Sequence, residues 1–372
     1  MIYLLILNYE YPPLGGGAAN ATFNLVRELS NWPDLQVTVI TSAVGSARIE
    51  QPADNVTLHF LDIGKTADSL HYQSFRDLIV YGWKAWRYVR RLPKQQQFDV
   101  VHAFFGIPCG FVARFLGIPY IVSLRGSDVP GYSPRMQKLE RLGLRRLSRW
   151  VWRGAAAVTV NSAGLGELAA RTLAADYPII PNGVDTELFA PAGGGGDRQS
   201  AAAQVPGLRL VSTGRLIPRK GYHLLIPALR PDDSLVLIGD GPELAALQQL
   251  SVGKQVRFLG EQPREVIARE LQRADVFVLP SANEGMSNSL LEAMAAGLPV
   301  VVTDVGGTRE LVNGNGVVLD DRSTTALQDA LQLLHVSDLQ TMSKKSRDIA
   351  LEFSWSAMAE AYIQLYRSVS EG

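Results

Sequence analysis

The chain has 372 residues, 47% of them hydrophobic and 19% charged, which is too apolar for a disordered chain and longer than one domain of roughly 150 residues. Its 36 Lys and Arg balance 36 Asp and Glu to a formal net charge of zero, which argues against a whole-molecule polycation built for nucleic acid. The single cysteine, Cys109, excludes an internal disulfide framework and a multi-thiolate zinc centre and fits a reducing compartment, with the cytoplasm as the default, or one where no staple is needed.

The opening run MIYLLIL lacks the basic stretch and small-residue cleavage site of a secretory signal and reads as a buried first strand. Short β-branched runs follow at VTVIT (37–41), VTLHFL (56–61), DVVHAF (99–104), YIVSL (120–124) and AVTV (157–160), alternating with helical patterns. Continuous apolar strands between helices predict a parallel sheet covered on both faces. The alternation breaks at Pro191, and the Gly-, Ser- and Ala-rich stretch 192–207 predicts a linker because it offers little to bury. It restarts with LRLVST (208–213) and continues through LVLIG, VRFLG, VFVLP, PVVVT and GVVLD (316–320). The expected fold class is α/β: two doubly wound, Rossmann-like parallel-sheet domains, 1–191 and 208–354, with a cleft between them that closes on a substrate. No apolar stretch reaches the roughly 18 residues of a membrane span.

Ligands of such sheets collect in the loops after strands. The first loop, 8–20, places Gly15, Gly16 and Gly17 before a predicted helix from Ala18 to Leu29, so that backbone N–H groups can approach a phosphate. A dinucleotide fingerprint fits it badly, since Asn20 stands where a third glycine belongs and no acidic residue ends the 37–41 strand; a flexible turn is the plain alternative. The second domain opens with GRLIPRKG (214–221), whose Arg215 and Lys220 can converge on a diphosphate or can be solvated surface charge. LIGDGPE (237–243), with Gly239, is a further strand-to-glycine turn. The segment 280–307 carries Glu284 after a strand and Glu292 eight residues on, inside the helix predicted for SNSLLEAMAA. The amides of Gly285 to Ser289 would be that helix's unpaired donors, suited to an anion or a sugar hydroxyl.

Taken together, EGMSNSLLE as E-x7-E, GRLIPRKG, the PPLGGG loop and PNGVD (181–185) resemble a retaining family 4 glycosyltransferase of GT-B fold, in the expected order and over nearly the whole chain. The resemblance implies a C-terminal helix, about 355–372, that completes the first domain. It also implies that Gly16, Gly17 and Gly239 lie along the donor site and that Arg215 and Lys220 neutralise the diphosphate. Glu284, with Gly285, Met286, Ser287 and Asn288, would hold the hexose; Glu292 would take the ribose, and the backbone near Phe258 and Leu259 the base. No Asp-x-Asp pair occurs, so the expected catalysis uses fixed positive charge, with no metal or other cofactor beyond the nucleotide-sugar co-substrate. Arg125-Gly126-Ser127-Asp128 stands where the family usually has H-G-x-D, which makes Arg125, Asp128 and the nearby His102 candidate contacts to acceptor or sugar, or a structural group. The expected partners are a nucleotide sugar, UDP-linked before GDP-linked, and a glycan or lipid-linked acceptor. A GT-B epimerase or phosphorylase, and a nucleotide-sugar-binding module without turnover, are the competing readings.

The neutral total hides a local excess: Arg76 to Arg153 holds fifteen basic residues and four acidic ones, a balance of +11. Two helices are predicted there. In the first, 76–94, Leu78, Tyr81, Ala85, Tyr88, Val89 and Leu92 form an apolar face, with Lys84, Arg87, Arg91 and Lys94 elsewhere. The second, 135–153, spaces Arg135, Lys138, Arg141, Arg145, Arg149 and Arg153 at helical steps. Solvated helix faces are the plain reading; an anionic membrane surface on the cytoplasmic side is the functional one. No nucleic-acid recognition module accompanies the patch.

Overall fold

The computed structural model describes residues 1–66, 70, 73–93, 97–132, 143–192 and 207–371. Lys94, Arg135, Lys138, Arg141 and the predicted linker apart from Ala192 and Gly207 lie outside the described residues. The chain divides into two compact units, Met1–Asn182 with Trp355–Gly372, and Gly183–Ser354.

In the first unit the apolar runs form a seven-stranded sheet of order β3-β4-β2-β1-β5-β6-β7. Its strands are β1 (Ile2–Leu7), β2 (Leu35–Val44), β3 (Arg48–Ala53), β4 (Val56–Lys65), β5 (Val100–Phe104), β6 (Tyr120–Ser123) and β7 (Ala157–Thr159). All pairings are parallel except β3 with β4. The sequence pattern misses β3 because RIEQPA is a largely exposed edge strand without an apolar face. The order reverses at β1, so the loops after β1 and β5 flank the switch point where such sheets take ligands.

The Trp355–Ser370 helix returns to this sheet and buries Trp355, Met358, Ala359, Tyr362, Ile363 and Tyr366 in the core of the first unit. Its tyrosines also satisfy a buried polar chain. The His102 ring on β5 bonds Tyr366 Oη through Nδ1 and Ser123 Oγ through Nε2, each at 2.7 Å. Ser123 in turn reaches Thr159 Oγ1 at 2.9 Å and Tyr362 Oη at 2.7 Å.

The second unit is a six-stranded parallel sheet of order β10-β9-β8-β11-β12-β13. Its strands are β8 (Arg209–Thr213), β9 (Ser234–Ile238), β10 (Gln255–Phe258), β11 (Val276–Leu279), β12 (Val300–Thr303) and β13 (Gly316–Leu319). Here the order reverses at β8. Residues 183–191, expected in the first domain, belong to this unit. Val184 and Phe189 are buried in its core, and Arg347 holds the carbonyls of Thr186 and Phe189 at 3.0 and 3.2 Å. Composition places the boundary at the Gly-rich stretch; what Val184 and Phe189 bury against places it at Asn182. Among the described residues no helix is long and apolar enough to cross a membrane.

Tyr366→Phe leaves the His102 Nδ1 without its partner in a fully buried setting, an expected loss of about 1–3 kcal/mol of unfolding free energy in a urea titration. An unchanged midpoint would show that the hydroxyl is dispensable.

Candidate active site

The loops after β8 and β11, neighbours at the reversal of the second sheet, are stapled to each other by backbone. Ala282 N donates to Arg219 O at 2.7 Å, and Arg322 donates to Pro280 O at 2.9 Å and to Pro218 O at 3.0 Å. The short turn Pro218–Lys220 ends on Gly221 at φ 76°, where a Cβ would stand 2.2 Å from Pro280 O. Only glycine permits that approach. Gly239 does related work between β8 and β9: its φ is 131° and a Cβ would fall 2.2 Å from Gly214 O. Its N–H is bonded to Gly260 O at 2.8 Å.

The stapling brings Lys220 and Glu284 together. Their Nζ and Oε1 lie 2.7 Å apart, with side chains 10% and 9% exposed. Burial pushes the Glu284 carboxyl up in pKa, but the charges of Lys220 and Arg219 and the Lys220 hydrogen bond outweigh burial and hold it below its ordinary value. Glu284 is therefore an ionised acceptor at neutral pH. Arg215, by contrast, stands exposed just past the end of β8, while Arg219 bonds Asn283 Oδ1 at 3.2 Å. The Gly306-Gly307 turn after β12 closes on the same loop: Gly307 N donates to Gly285 O at 2.9 Å, and a Cβ on Gly306 would fall 1.8 Å from Glu284 O.

Gly285, Met286 and Ser287 are buried, and the helix begins at Asn288, capped by Ser287 Oγ, which accepts from Leu290 N. Glu292 sits one turn inside this Asn288–Ala295 helix, its side chain 15% exposed and 3.5 Å from Arg264. Burial, opposed by Arg264 and reinforced by Asp185, raises its pKa to about 7. The Arg264 guanidinium also covers the Phe189 ring at 5.2 Å. Phe258 and Leu259 are half-buried at the end of β10; Leu259 N donates to Leu237 O at 3.0 Å and its carbonyl accepts Gln262 Nε2 at 2.5 Å.

In the first unit, Gly16 caps the Gly17–Leu29 helix, and a Cβ on it would meet nothing within 4 Å. The Gly16 amide donates to Glu10 Oε2 at 3.4 Å, so a carboxylate of the chain itself lies where the resemblance implies donor phosphate. Asp128 is a structural group. Its carboxylate accepts Gly106 N at 2.7 Å and Arg125 N at 3.0 Å, which corrects its expected contact with acceptor. His102 is corrected likewise, since it is fully buried with both ring nitrogens bonded and its pKa driven well below the usual value by burial and by the nearby Arg125 charge. Arg125 itself donates to Asn182 Oδ1 at 2.7 Å, its guanidinium 5.2 Å from the Phe104 ring. Sequence reasoning missed Arg264, Arg219, Asn182 and Glu10. Only Arg219, inside the GRLIPRKG motif, and Asn182, inside PNGVD, carried a local signal.

Residues 207–336 match the family described as Glycosyl transferases group 1, and residues 15–188 match Glycosyltransferase Family 4. The chain is 30% identical over 288 residues to the UDP-Gal:alpha-D-GlcNAc-diphosphoundecaprenol alpha-1,3-galactosyltransferase of Escherichia coli, covering 69% of this chain and 72% of that relative. It is 32% identical over 246 residues to TuaC of Bacillus subtilis, a glycosyltransferase named for teichuronic acid biosynthesis; the match covers 63% of this chain and 60% of that relative, less than two thirds of its length. The solved structure of sucrose-phosphate synthase from Thermosynechococcus elongatus superposes with a TM-score of 0.83 at 22% identity over 99% of both chains, a likeness of fold that places the architecture in the GT-B class.

Removing one partner of the Lys220–Glu284 pair leaves the other charge buried, so Lys220→Met should cost about 3–5 kcal/mol of stability. Lys220→Met/Glu284→Gln should recover part of that loss in a double-mutant cycle; strictly additive losses would deny the coupling. For Glu292 the sign runs the other way from a salt-bridged acid. Its folded pKa of about 7 exceeds the ordinary 4.5, so the folded state binds more protons between those values and loses stability as pH rises through them. Glu292→Gln removes this dependence, and its stability relative to the parent should improve by roughly 2–3 kcal/mol from pH 4.5 to pH 8; a flat difference would refute the raised pKa.

Proposed function

Because the chain belongs to glycosyltransferase family 4, we propose that it moves a hexose from a UDP-sugar to a hydroxyl of a lipid-linked glycan or glycolipid precursor in cell-envelope polysaccharide synthesis. The observation that carries the donor reading is the buried Lys220–Glu284 pair, held beside the first amides of the Asn288–Ala295 helix at the reversal of the second sheet. A nucleotide-sugar donor leaves as a diphosphate, so the reaction needs fixed positive charge where negative charge develops. Lys220 provides it from a set position, and the exposed Arg215 fork adds a bidentate grip without a resident metal. Glu284, kept ionised by Lys220 and Arg219, accepts hydrogen bonds from hexose hydroxyls and positions the sugar. Glu292, beside Arg264, takes the ribose hydroxyls. Transfer retains the anomeric configuration: the acceptor hydroxyl attacks C1 from the face the phosphate leaves, the C1–O bond to phosphate breaks, and the hydroxyl proton passes to the departing phosphate oxygen. No covalent bond to Glu284 is required.

The UDP preference and the lipid-linked acceptor rest on the name of the Escherichia coli relative, and the polysaccharide setting on that of TuaC. Arg125 contacts an anionic acceptor or a carboxylated donor sugar, since among the described residues no carboxylate lies within ion-pair distance of its guanidinium. The enzyme works as a peripheral protein on the cytoplasmic membrane face. In the Phe75–Val89 helix, Phe75, Ile79 and Trp83 are more than half exposed at successive i+4 steps, the reverse of an ordinary solvated face. The helix's one acid, Asp77, is consumed by Lys65 at 2.9 Å.

Nucleotide release should be measured over UDP- and GDP-sugar panels with and without lipid-linked acceptors. Turnover is expected with a UDP-hexose and a lipid-linked acceptor, and should fall at least 100-fold in Lys220→Ala. Arg125→Ala should alter acceptor or donor KM. Turnover with GDP-sugars alone, or in Lys220→Ala at the parent rate, would overturn the assignment.

A further inference from the structure

A second cationic site lies in the first unit, apart from every residue assigned to the donor. An open, solvent-facing cavity of about 420 Å³ is lined by Arg114, Arg146, Arg149, Arg153 and Trp150. Arg114 ends the short Phe111–Arg114 helix and the others lie on the Arg145–Arg153 helix. Among the described residues none of these four guanidinium groups has a carboxylate within ion-pair distance. The Arg145–Arg153 helix contains no acid at all.

Two of the cations are fixed in place. Arg114 donates to Tyr120 Oη at 3.3 Å and lies 4.1 Å over the Trp150 ring. A Cβ at position 154 would fall 1.1 Å from its Nη1, so Gly154 keeps the space that the guanidinium occupies. Arg149 commits its Nε to Thr172 O at 2.9 Å, and its terminal nitrogens make no hydrogen bond among the described residues. Like charges lining one cavity repel each other, and the helix that carries three of them supplies no acid to offset them. Fixed guanidinium forks of this kind match phosphate oxygens bidentately.

The rim is apolar. Phe115 is 54% and Trp150 40% exposed, their ring centroids 5.7 Å apart. Exposed aromatic rings beside guanidinium groups suit a boundary between headgroups and hydrocarbon better than open water. The Phe75–Val89 helix runs on the same side of the unit, packing its Gly82 against Pro108 and Val112, and Val112 belongs to the helix that ends in Arg114. The Phe75–Val89 helix also leaves Phe75, Ile79 and Trp83 more than half exposed.

We propose that this arginine cavity binds the phosphate of an anionic glycerophospholipid headgroup, with Phe115 and Trp150 against the glycerol and upper acyl region. The site deepens the membrane reading given above and turns a diffuse basic surface into one with a discrete receptor.

The test is flotation of the full chain with phosphatidylcholine vesicles, with or without phosphatidylglycerol, comparing two variants of equal charge. Arg146→Gln/Arg153→Gln alters the cavity, and Arg87→Gln/Arg91→Gln removes the same charge outside it. The cavity variant should lose at least tenfold more binding to the anionic vesicles than the control, with unchanged thermal midpoints for both, and the parent should keep measurable binding in high salt. Equal losses in the two variants would overturn the cavity in favour of unspecific attraction. A Trp150 indole resonance that shifts fully with inorganic phosphate or glycerol 3-phosphate, and is not competed by vesicles, would assign the cavity to a soluble phosphate and overturn the lipid. Failure of the parent to float with any anionic vesicle would end the membrane reading itself, whereas donor turnover would stand untouched.

Discussion

The second unit depends on a lysine ammonium and a glutamate carboxylate held 2.7 Å apart with almost no access to water. Desolvating both charges is expensive, and such a pair persists only where geometry is imposed by the surrounding backbone. That backbone is the pair of loops at the sheet reversal, tied through Arg322, the Ala282 amide and the close approach of Gly221 to Pro280. Glycines at 221, 239 and 306 let four strand-end loops, those after β8, β9, β11 and β12, come into backbone contact. An ion pair in this position is a reservoir of charge held ready by the surrounding backbone.

The first unit solves a similar difficulty with neutral groups. His102, Ser123, Thr159, Tyr362 and Tyr366 form a hydroxyl and imidazole chain inside an otherwise apolar core. Burial forbids the charged form of the imidazole, so the chain serves as cross-bracing between the sheet and the last helix rather than as an acid or base.

The alternation of β-branched runs made both sheets legible, because fully buried parallel strands are the strongest pattern a sequence offers. The edge strand β3 escaped notice for the complementary reason: RIEQPA has nothing to bury. The motif loops announced Lys220, Glu284 and Glu292, since glycines and charges directly after buried strands stand at the end of a parallel sheet that takes ligands. Arg264 and Glu10 were invisible because their significance comes from side chains meeting groups remote in the chain or folded back upon it, 3.5 Å from Glu292 in one case and against the Gly16 amide in the other. His102 could be read as a satisfied polar group, but its partner Tyr366, far away in sequence, could not be named until the last helix was seen to pack on the sheet.

The return of the Trp355–Ser370 helix makes the second unit an insertion within the first. The chain leaves the first unit at Asn182 and re-enters it at Trp355, and the bridge between Val184 and Ser354 sets the two crossing points side by side. In chain order the whole of 183–354 precedes the helix that covers one face of the seven-stranded sheet. The imidazole on β5 gains its tyrosine partner only when that later segment packs back on the sheet. A chain cut before residue 355 would therefore keep every strand of both sheets and leave the first with an uncovered apolar face.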